Sequence, residues 1–384
     1  MKTIIKLLHT FGLWSQPYQN HKPWKPLWII ILPTLFLVGP EVAFFIRNHS
    51  SFTKATRAAI ESVELTNVAI MAMNHLIHRS ALEQSYKELQ LALKIMSYDS
   101  HIDVQAALDQ LKKIIRISSK VYITFQMIIS IGYAMSIPML TVYHFAKTGK
   151  LPPLYGIFEA DFIFFDVTHN FWAWLLILIV TIVTFLSICL VLAVINSLHW
   201  GLLLHVTGFF KIVYMKILRI DEISDKQSRH KEMIDIVQLQ ELAYRNARIL
   251  EQSLNQIMLL QFGMCVVTVC LTMLTLTLAN DDKDLLIKMG IILVFIFAHL
   301  LVYSLLGTEL ITASSSIADA MYGTQWYEWT ISEQRNVLFI LLRSQRMTAL
   351  TIGKFFYINR STLGKILQTT YSHFTVLRQM IDSH

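Results

Sequence analysis

Few residues in this 384-residue chain could carry chemistry, and they are not grouped for catalysis. The sequence has no glycine-rich phosphate loop, no nucleophile elbow, no His-Glu-x-x-His pair and no TVGYG filter. His169, His199, His205 and His299 are scattered one per span end, where an interfacial or hydrogen-bonded imidazole is the simplest role. Cys189, Cys265 and Cys270 all fall inside apolar runs, as small buried side chains with no extracellular disulfide and no metal-ligand spacing. No metal or cofactor is expected, and no enzyme, for want of a nucleophile and base at usable spacing. Glu61 and Glu64 stand apart. Acids within a membrane helix mark a functional site by default, yet both lie within two turns of the outer end, where solvated acids at the boundary are an equal reading.

The elements that position these residues are membrane helices. Hydrophobic residues make up 54% of the chain and charged ones 15%, against about 25% charge in a soluble domain. Mean hydropathy is +0.49. Only 13 glycines and 8 prolines are present, which excludes disordered and collagenous classes. Residues 121 to 146, 167 to 210 and 252 to 280 contain no Asp, Glu, Lys or Arg, and 289 to 308 is a fourth uncharged run. Each can cross about 30 Å of hydrocarbon as a helix. Leu27 to Ile46 is a fifth span, if Glu41 is tolerated near its end; Pro33 and Pro40 do not stop a membrane helix. Ala58 to His78 and Thr362 to Met380 carry charges and complete a count of seven. The first span is expected to remain in place, because no small-x-small cleavage site follows it.

Lys and Arg set the orientation. Residues 79 to 120 carry seven basic groups and 200 to 257 carry eight, whereas 146 to 170 and 279 to 288 carry two each. The N-terminus is therefore expected in the cytosol and His384 outside. The net charge of +7 reads as this bias, not as a nucleic-acid footprint. The sequon at Asn48 falls in the first outer loop and is a candidate glycosylation site; a second at Asn359 falls inside. Apolar residues recur at helical spacing among charges from Leu82 to Lys120 (Leu89, Leu93, Met96, Leu108, Leu111, Ile115) and from Ile234 to Ile257. With a third helical stretch, Arg335 to Leu350, they form an intracellular bundle; helices lying on the membrane surface are the alternative.

The C-terminal third is specific. Tyr303-Ser304-Leu305-Leu306-Gly307-Thr308-Glu309-Leu310, Ser314 to Ser316, Ala320-x-Tyr322, Gln325-Trp326-Tyr327, Gly353-Lys354-Phe355-Phe356 and Tyr371-Ser372-His373-Phe374-Thr375-Val376-Leu377-Arg378-Gln379 together resemble the signature of insect odorant receptors. Two positions depart from it: Ser304 stands where a cysteine is usual, and His373 where an aromatic is usual. The sister gustatory receptors end in Thr-Tyr, five residues, Gln-Phe; here seven residues separate Thr370-Tyr371 from Gln379-Met380.

The resemblance implies an all-α membrane protein with seven transmembrane helices, a cytosolic N-terminus and an extracellular C-terminus, its helices extended into a cytosolic anchor bundle. Four parts follow: a cytosolic segment 1–26; spans one to six over 27–302 with cytosolic extensions 82–120 and 203–257; an anchor and subunit-interface region 303–352; and 353–384, the last span with a short outer tail. The implied function is that of a subunit of a ligand-gated, non-selective cation channel in the plasma membrane of a sensory neuron. It assembles as a tetramer with the odorant receptor coreceptor, and the chain's length suits the tuning subunit. Volatile odorants, permeating cations and the lipid bilayer are its partners, and nucleic acid is not. By motif, the hydrophobic gate falls on Val376 and Met380, with Gln379 beside it. Ser372, Val376 and Met380 independently share one helix face, and apolar side chains from four subunits can close a pore by dewetting. Arg378 would repel cations, so it is expected to face elsewhere. Tyr322, Trp326 and Tyr327 are expected at the subunit interface. The resemblance places the odorant among the outer halves of spans two, three, four and six, which supply Val68, Met71 and Ala72; Ile129, Gly132, Tyr133 and Ser136; Trp172 and Leu175; and Ile291 and Phe295. Volatile ligands bind by desolvating apolar area, with one or two polar groups fixing orientation. Gly132 is the sharpest candidate, since a glycine in a span admits either a ligand or a neighbouring helix.

Rival readings meet specific obstacles. A seven-span G-protein-coupled receptor needs the reverse orientation and normally paired outer-loop cysteines. A gustatory-type chemoreceptor needs the shorter terminal spacing, and a secondary transporter needs inverted repeats that the sequence does not show.

Overall fold

A computed structural model of the chain describes residues 1–15, 24–48, 51–97, 102–149, 154, 156–161, 171–278 and 283–382. His169 and His384 lie outside them. The described chain is helical apart from one two-stranded hairpin. In order, the helices are α1 (Lys2–Thr10), α2 (Trp24–Arg47), α3 (Phe52–Ile77), α4 (Arg79–Met96), α5 (Ile102–Thr148), α6 (Phe171–Leu218), α7 (Lys226–Leu278), α8 (Lys283–Tyr322), α9 (Ile331–Ser344) and α10 (Arg360–Asp382). Seven of these, α2, α3, α5, α6, α7, α8 and α10, fall on the seven spans read from the sequence. Five, α2 and α5 to α8, are apolar and long enough to cross a membrane. The exceptions, α3 and α10, are the two whose sequence carries charge.

Length organises the bundle. Helices α5, α6, α7 and α8 have 47, 48, 53 and 40 residues, so each is about 60–80 Å long at 1.5 Å per residue. The hydrocarbon core needs only about 30 Å. The surplus projects from one end of the bundle, where α1, α4 and α9 pack around it, and this end is called the anchor end below. The other end carries Arg47, Gly149 and the start of α8 and is called the loop end. α6 is the axis of the anchor: from Ile188 to Ile217 nearly every residue is buried. Glycines let its neighbours close in. A β-carbon on Gly201 would stand 2.6 Å from Met1 Sδ, and one on Gly208 would stand 2.5 Å from Leu111 Cδ2.

Two boundaries differ from the sequence reading. α9 ends at Ser344 rather than continuing to Leu350; its start is set by a capping box, with Thr330 and Glu333 each bonding the other's backbone N–H. The segment from Gly353 is not yet the last span. Strands β1 (Thr351–Ile352) and β2 (Phe356–Tyr357) pair antiparallel around Gly353 and Lys354, both at positive φ (57° and 66°). Two left-handed residues are what a tight hairpin turn demands, and the turn is tied to α7 by Gly353 N–H donating to Asn255 O at 2.9 Å. The last span therefore begins at Arg360, where Asn359 Oδ1 accepts from Thr362 N–H at 2.8 Å.

Candidate functional site

A cavity of about 100 Å³ lies near the loop end between α3, α5, α6 and α8. Its wall is largely apolar: Leu65 and Val68 from α3, Ile129 and Tyr133 from α5, Phe185, Ile188 and Leu192 from α6, and Ile291, Ile292 and Phe295 from α8. Phe158, from the connection between α5 and α6, also lines it. Tyr133, Phe158 and Phe185 form an aromatic trio with centroids 5.3 to 5.9 Å apart. The polar lining is Glu61, Glu64, Gln126, Ser130 and Cys189. A smaller void of about 40 Å³ shares Glu64, Val68, Leu192 and Phe295 and continues past Asn67, Gln261 and His299.

A charged lattice holds the loop end over this void. The buried Arg57 guanidinium meets Glu61 at 3.1 Å and Glu159 at 2.9 Å, and donates to Ile157 O at 3.4 Å. Lys288 Nζ donates to the same carbonyl at 3.1 Å and stands 5.7 Å from the Tyr133 ring centroid. Glu61 accepts from the Tyr133 hydroxyl and, at 3.2 Å, from Glu159 N–H. Glu41 is wholly buried and accepts from Ser62 Oγ at 2.8 Å. Asp161 N–H donates to Pro40 O at 2.9 Å, and Asp161 pairs with Arg47. Segment 156–161 is thereby pinned to α2, α3 and α8, which seats Phe158 in the wall. Glu61 is thus not a solvated acid at a membrane boundary. It is buried, because one cation and two hydrogen-bond donors replace its water.

Of the residues singled out for the odorant, Val68, Ile129, Tyr133, Ile291 and Phe295 line the void together. Met71 and Ala72 are buried one turn beyond, where Met71 Sδ accepts from Gln261 Nε2 at 3.3 Å. Ser136 turns its hydroxyl onto Tyr133 O, 2.9 Å away. Trp172 is 75% exposed on the outer face of α6, and Leu175 packs half-buried outside the void. Gly132 is exposed, with nothing within 4 Å of an added β-carbon, so it admits neither ligand nor helix in this chain. The face formed by Phe185, Ile188, Cys189 and Leu192 has no sequence signal, since α6 is apolar on every side. Phe158 has none either, being on a connection without periodicity.

On α10, Leu363, Thr370 and Phe374 form the buried stripe, and Cys270 of α7 donates its thiol to Thr370 O at 3.3 Å. Ser372, Val376, Gln379 and Met380 are exposed on another face, with Val376 at 54% and Met380 at 58%. Arg378 is exposed as well, one turn beyond Phe374 and roughly 160° round from Met380 at 100° per residue. At the anchor end Tyr322 and Tyr327 are exposed and Trp326 is half-buried. Asn48 donates its amide to Phe44 O at 3.1 Å. The cysteines are free and buried.

The signature residues of the C-terminal third hold helices together. Tyr303 donates to Asn196 Oδ1 at 3.0 Å, and Asn196 donates to the Tyr122 hydroxyl at 3.1 Å, joining α8, α6 and α5. Gly307 lets the Ile358 carbonyl touch α8 where any β-carbon would collide with it. Thr308 Oγ accepts from Arg360 N–H at 3.1 Å, fixing where α10 starts.

Fold and cavity together define a multi-pass, all-α membrane protein with an apolar void between its helices. A model of the 7tm odorant receptor family matches residues 56–371, and the chain belongs to that family, one of receptors and not of enzymes. Odorant receptor 85b of Drosophila melanogaster is 25% identical over 174 residues, 43% of this chain and 44% of that one. Odorant receptor 30a of the same species is 30% identical over 111 residues, 29% of each chain. Odorant receptor Or2 of Anopheles gambiae is 24% identical over 123 residues, 32% of each. The matched segments span less than half the length of these relatives. The fold is shared with the insect olfactory receptor OR5 from Machilis hrabei, solved in complex with eugenol: TM-score 0.81, 16% identity, 99% of this chain and 97% of that one. A second structure of that receptor gives a TM-score of 0.80 at 17% identity.

Proposed function

We propose that this chain is the tuning subunit of an odorant-gated, non-selective cation channel in the plasma membrane of a sensory neuron, assembled as a tetramer with the odorant receptor coreceptor. The void between α3, α5, α6 and α8 is its ligand site, and α10 lines the pore. The observation that carries the reading is the void itself: an apolar, aromatic-walled space to which segment 156–161 contributes Phe158, in a family of odorant receptors. The relative with the same fold is described as binding eugenol, a one-ring volatile. A cavity of about 150 Å³ accepts benzene, and the two voids together approach that size.

In this reading the loop end faces outside and the anchor end lies in the cytosol, in line with the basic groups of 79 to 120 and 200 to 257. Val376 and Met380 are the gate, and Arg378 on the opposite side of the helix keeps its charge out of the pore. The exposed apolar residues of the anchor, among them Tyr322, Tyr327, Ile331, Phe339 and Phe355, are the surface that neighbouring subunits cover.

Whole-cell current to a panel of volatile aromatics, esters and alcohols tests this, in cells expressing the chain with and without an insect odorant receptor coreceptor. The expected result is an odorant-evoked cation current in co-expressing cells alone. Val376→Ala is expected to raise the resting leak without loss of surface protein. Silence across the panel from a chain that reaches the surface overturns the receptor-channel reading, and an unchanged leak overturns the gate.

A further inference from the structure

The cavity is apolar in area but acidic in charge. Four carboxyls, Glu41, Glu61, Glu64 and Glu159, stand in or beside its wall with two buried cations, Arg57 and Lys288. Both cations are already engaged. Arg57 is divided between Glu61 and Glu159, and Lys288 serves Ile157 O and the Tyr133 ring. Lys54 is exposed outside.

Glu61 is satisfied by three groups, and Glu64, one turn further in, is not. Half-buried and lining both voids, Glu64 has one hydrogen bond among the described residues, from Thr268 Oγ at 3.3 Å. An acid at this depth is costly unless something meets it. Around it the unmatched atoms are mostly acceptors, the exception being the His299 ring, whose two nitrogens, one of them a donor when the ring is neutral, have no partner among the described residues. Gln126 Oε1, Asn67 Oδ1 and Gln261 Oε1 line the same voids with no partner among the described residues. Gln126 is only 3% exposed and Gln261 6%. The three amides can turn over; the carboxylate cannot become a cation.

We propose that Glu64 is the anchor for an organic ammonium group, so that the cavity takes a small primary amine on a compact apolar body. The ammonium bonds Glu64, with Gln126 Oε1 within the same void, and the body packs among Tyr133, Phe158, Phe185 and Phe295, whose ring faces also favour a cation. Because the half-buried carboxyl has already lost part of its hydration in the folded chain, less desolvation opposes the pairing, and a charge-assisted hydrogen bond meets the ligand's ammonium. An ether or ester offers acceptors where the wall has a surplus of acceptors. The inference rests on this cavity being the ligand site of a channel, as proposed above.

The test uses matched sets on one body: benzylamine, benzyl alcohol and methoxybenzene, then hexylamine, hexanol and methyl pentyl ether, each applied to the chain co-expressed with the coreceptor. The amine is expected to act at a concentration about tenfold lower than the ether, the weight of one charge-assisted hydrogen bond. Glu64→Gln is expected to raise the amine's half-maximal concentration about tenfold while leaving the ether within about threefold. Glu64→Asp, which keeps the charge, should retain the order amine before ether. A channel that opens to other volatiles but prefers the ether, or that answers to no amine, overturns the proposal and leaves the receptor reading standing. A Glu64→Gln shift that is equal across each set also overturns it, since that is the mark of a packing role. Silence to every compound overturns the receptor reading beneath it.

Discussion

The two halves of α6 are similarly apolar and have opposite surroundings. From Phe171 to Ser187 the helix alternates: Trp172, Leu176, Ile179, Val180 and Val183 are exposed, while Trp174, Leu178 and Thr181 are buried. From Ile188 to Ile217 nearly every residue is buried, Lys211 being the exposed one. What separates the halves is not apolarity but small and polar residues. The enclosed half carries Asn196, Ser197, His199, Gly201, His205, Thr207, Gly208 and Lys216, which let helices approach and bond across. In lipid a leucine is equally content against a tail or a neighbouring helix, so burial follows the residues that fit only against protein. The anchor end is therefore the more closely packed part of the molecule, and the loop end is held by charges around a void.

Glycine substitution breaks this comparison most sharply. Gly307→Val drives side-chain atoms into the Ile358 carbonyl, a backbone atom that cannot step aside, and is expected to cost about 3 kcal/mol or more. Gly132→Val meets open space and should leave both thermal stability and ligand order unchanged. Size-exclusion profiles of detergent-solubilised protein after heating would report both; equal losses would refute the contrast. Next in size is Arg57→Met, which strands Glu61 and Glu159 in the buried lattice and should cost about 3–5 kcal/mol. Its effect should appear as a changed odorant response as well as lower stability, because the lattice seats Phe158 in the cavity wall.

At the anchor end, burial pulls the Glu333 carboxyl upward, but hydrogen bonds from Thr330 and the Arg229 guanidinium outweigh it and hold the group below the usual carboxylate range. Arg229 lies 3.0 Å from Glu333 and stacks 5.3 Å from the Trp329 ring centroid. A carboxyl held low in the folded state contributes stability above its unfolded pKa, about 4.3, and loses that contribution as pH falls through the folded value. Glu333→Gln should therefore cost about 1–3 kcal/mol at pH 7 and show a smaller loss than the native chain between pH 5 and pH 3 in thermal melts. The smallest effect is expected at Arg47→Ala. This guanidinium is largely exposed beside Asp161, and its removal should cost less than about 1 kcal/mol; a loss matching that of Arg57→Met would show the pinning of segment 156–161 to be shared evenly.

Much of the fold is legible in the chain because bilayer thickness converts apolar run length directly into helices. The seven helices that fall on the expected spans, and the helical extensions, follow from composition, period and spacing; the start of α9 at Ile331, with its capping box, lies ahead of the helical stretch read from Arg335. The boundary at Ser344 does not follow from them either, since the segment to Leu350 keeps helical spacing while its backbone turns toward the hairpin at Gly353. In the candidate site, the resemblance supplied the spans and the depth from which Val68, Ile129, Tyr133, Ile291 and Phe295 were picked out by type. The acids Glu61 and Glu64 were conspicuous too, but whether water or protein would surround them depended on Arg57, Tyr133 and Glu159, which arrive from three different segments.

The sequence by itself determined that this chain belongs in a membrane, where its long apolar helices lie and which family it resembles, because each of those is a property of runs and local motifs. Tertiary structure alone decided which face of each apolar helix meets lipid and which lines the void. It also decided that Gly132 is an outward position and that Gly307 is a contact. The physical reason is common to all three: a helix that is apolar all round carries no record of its own orientation, and only the neighbours that pack against it supply one.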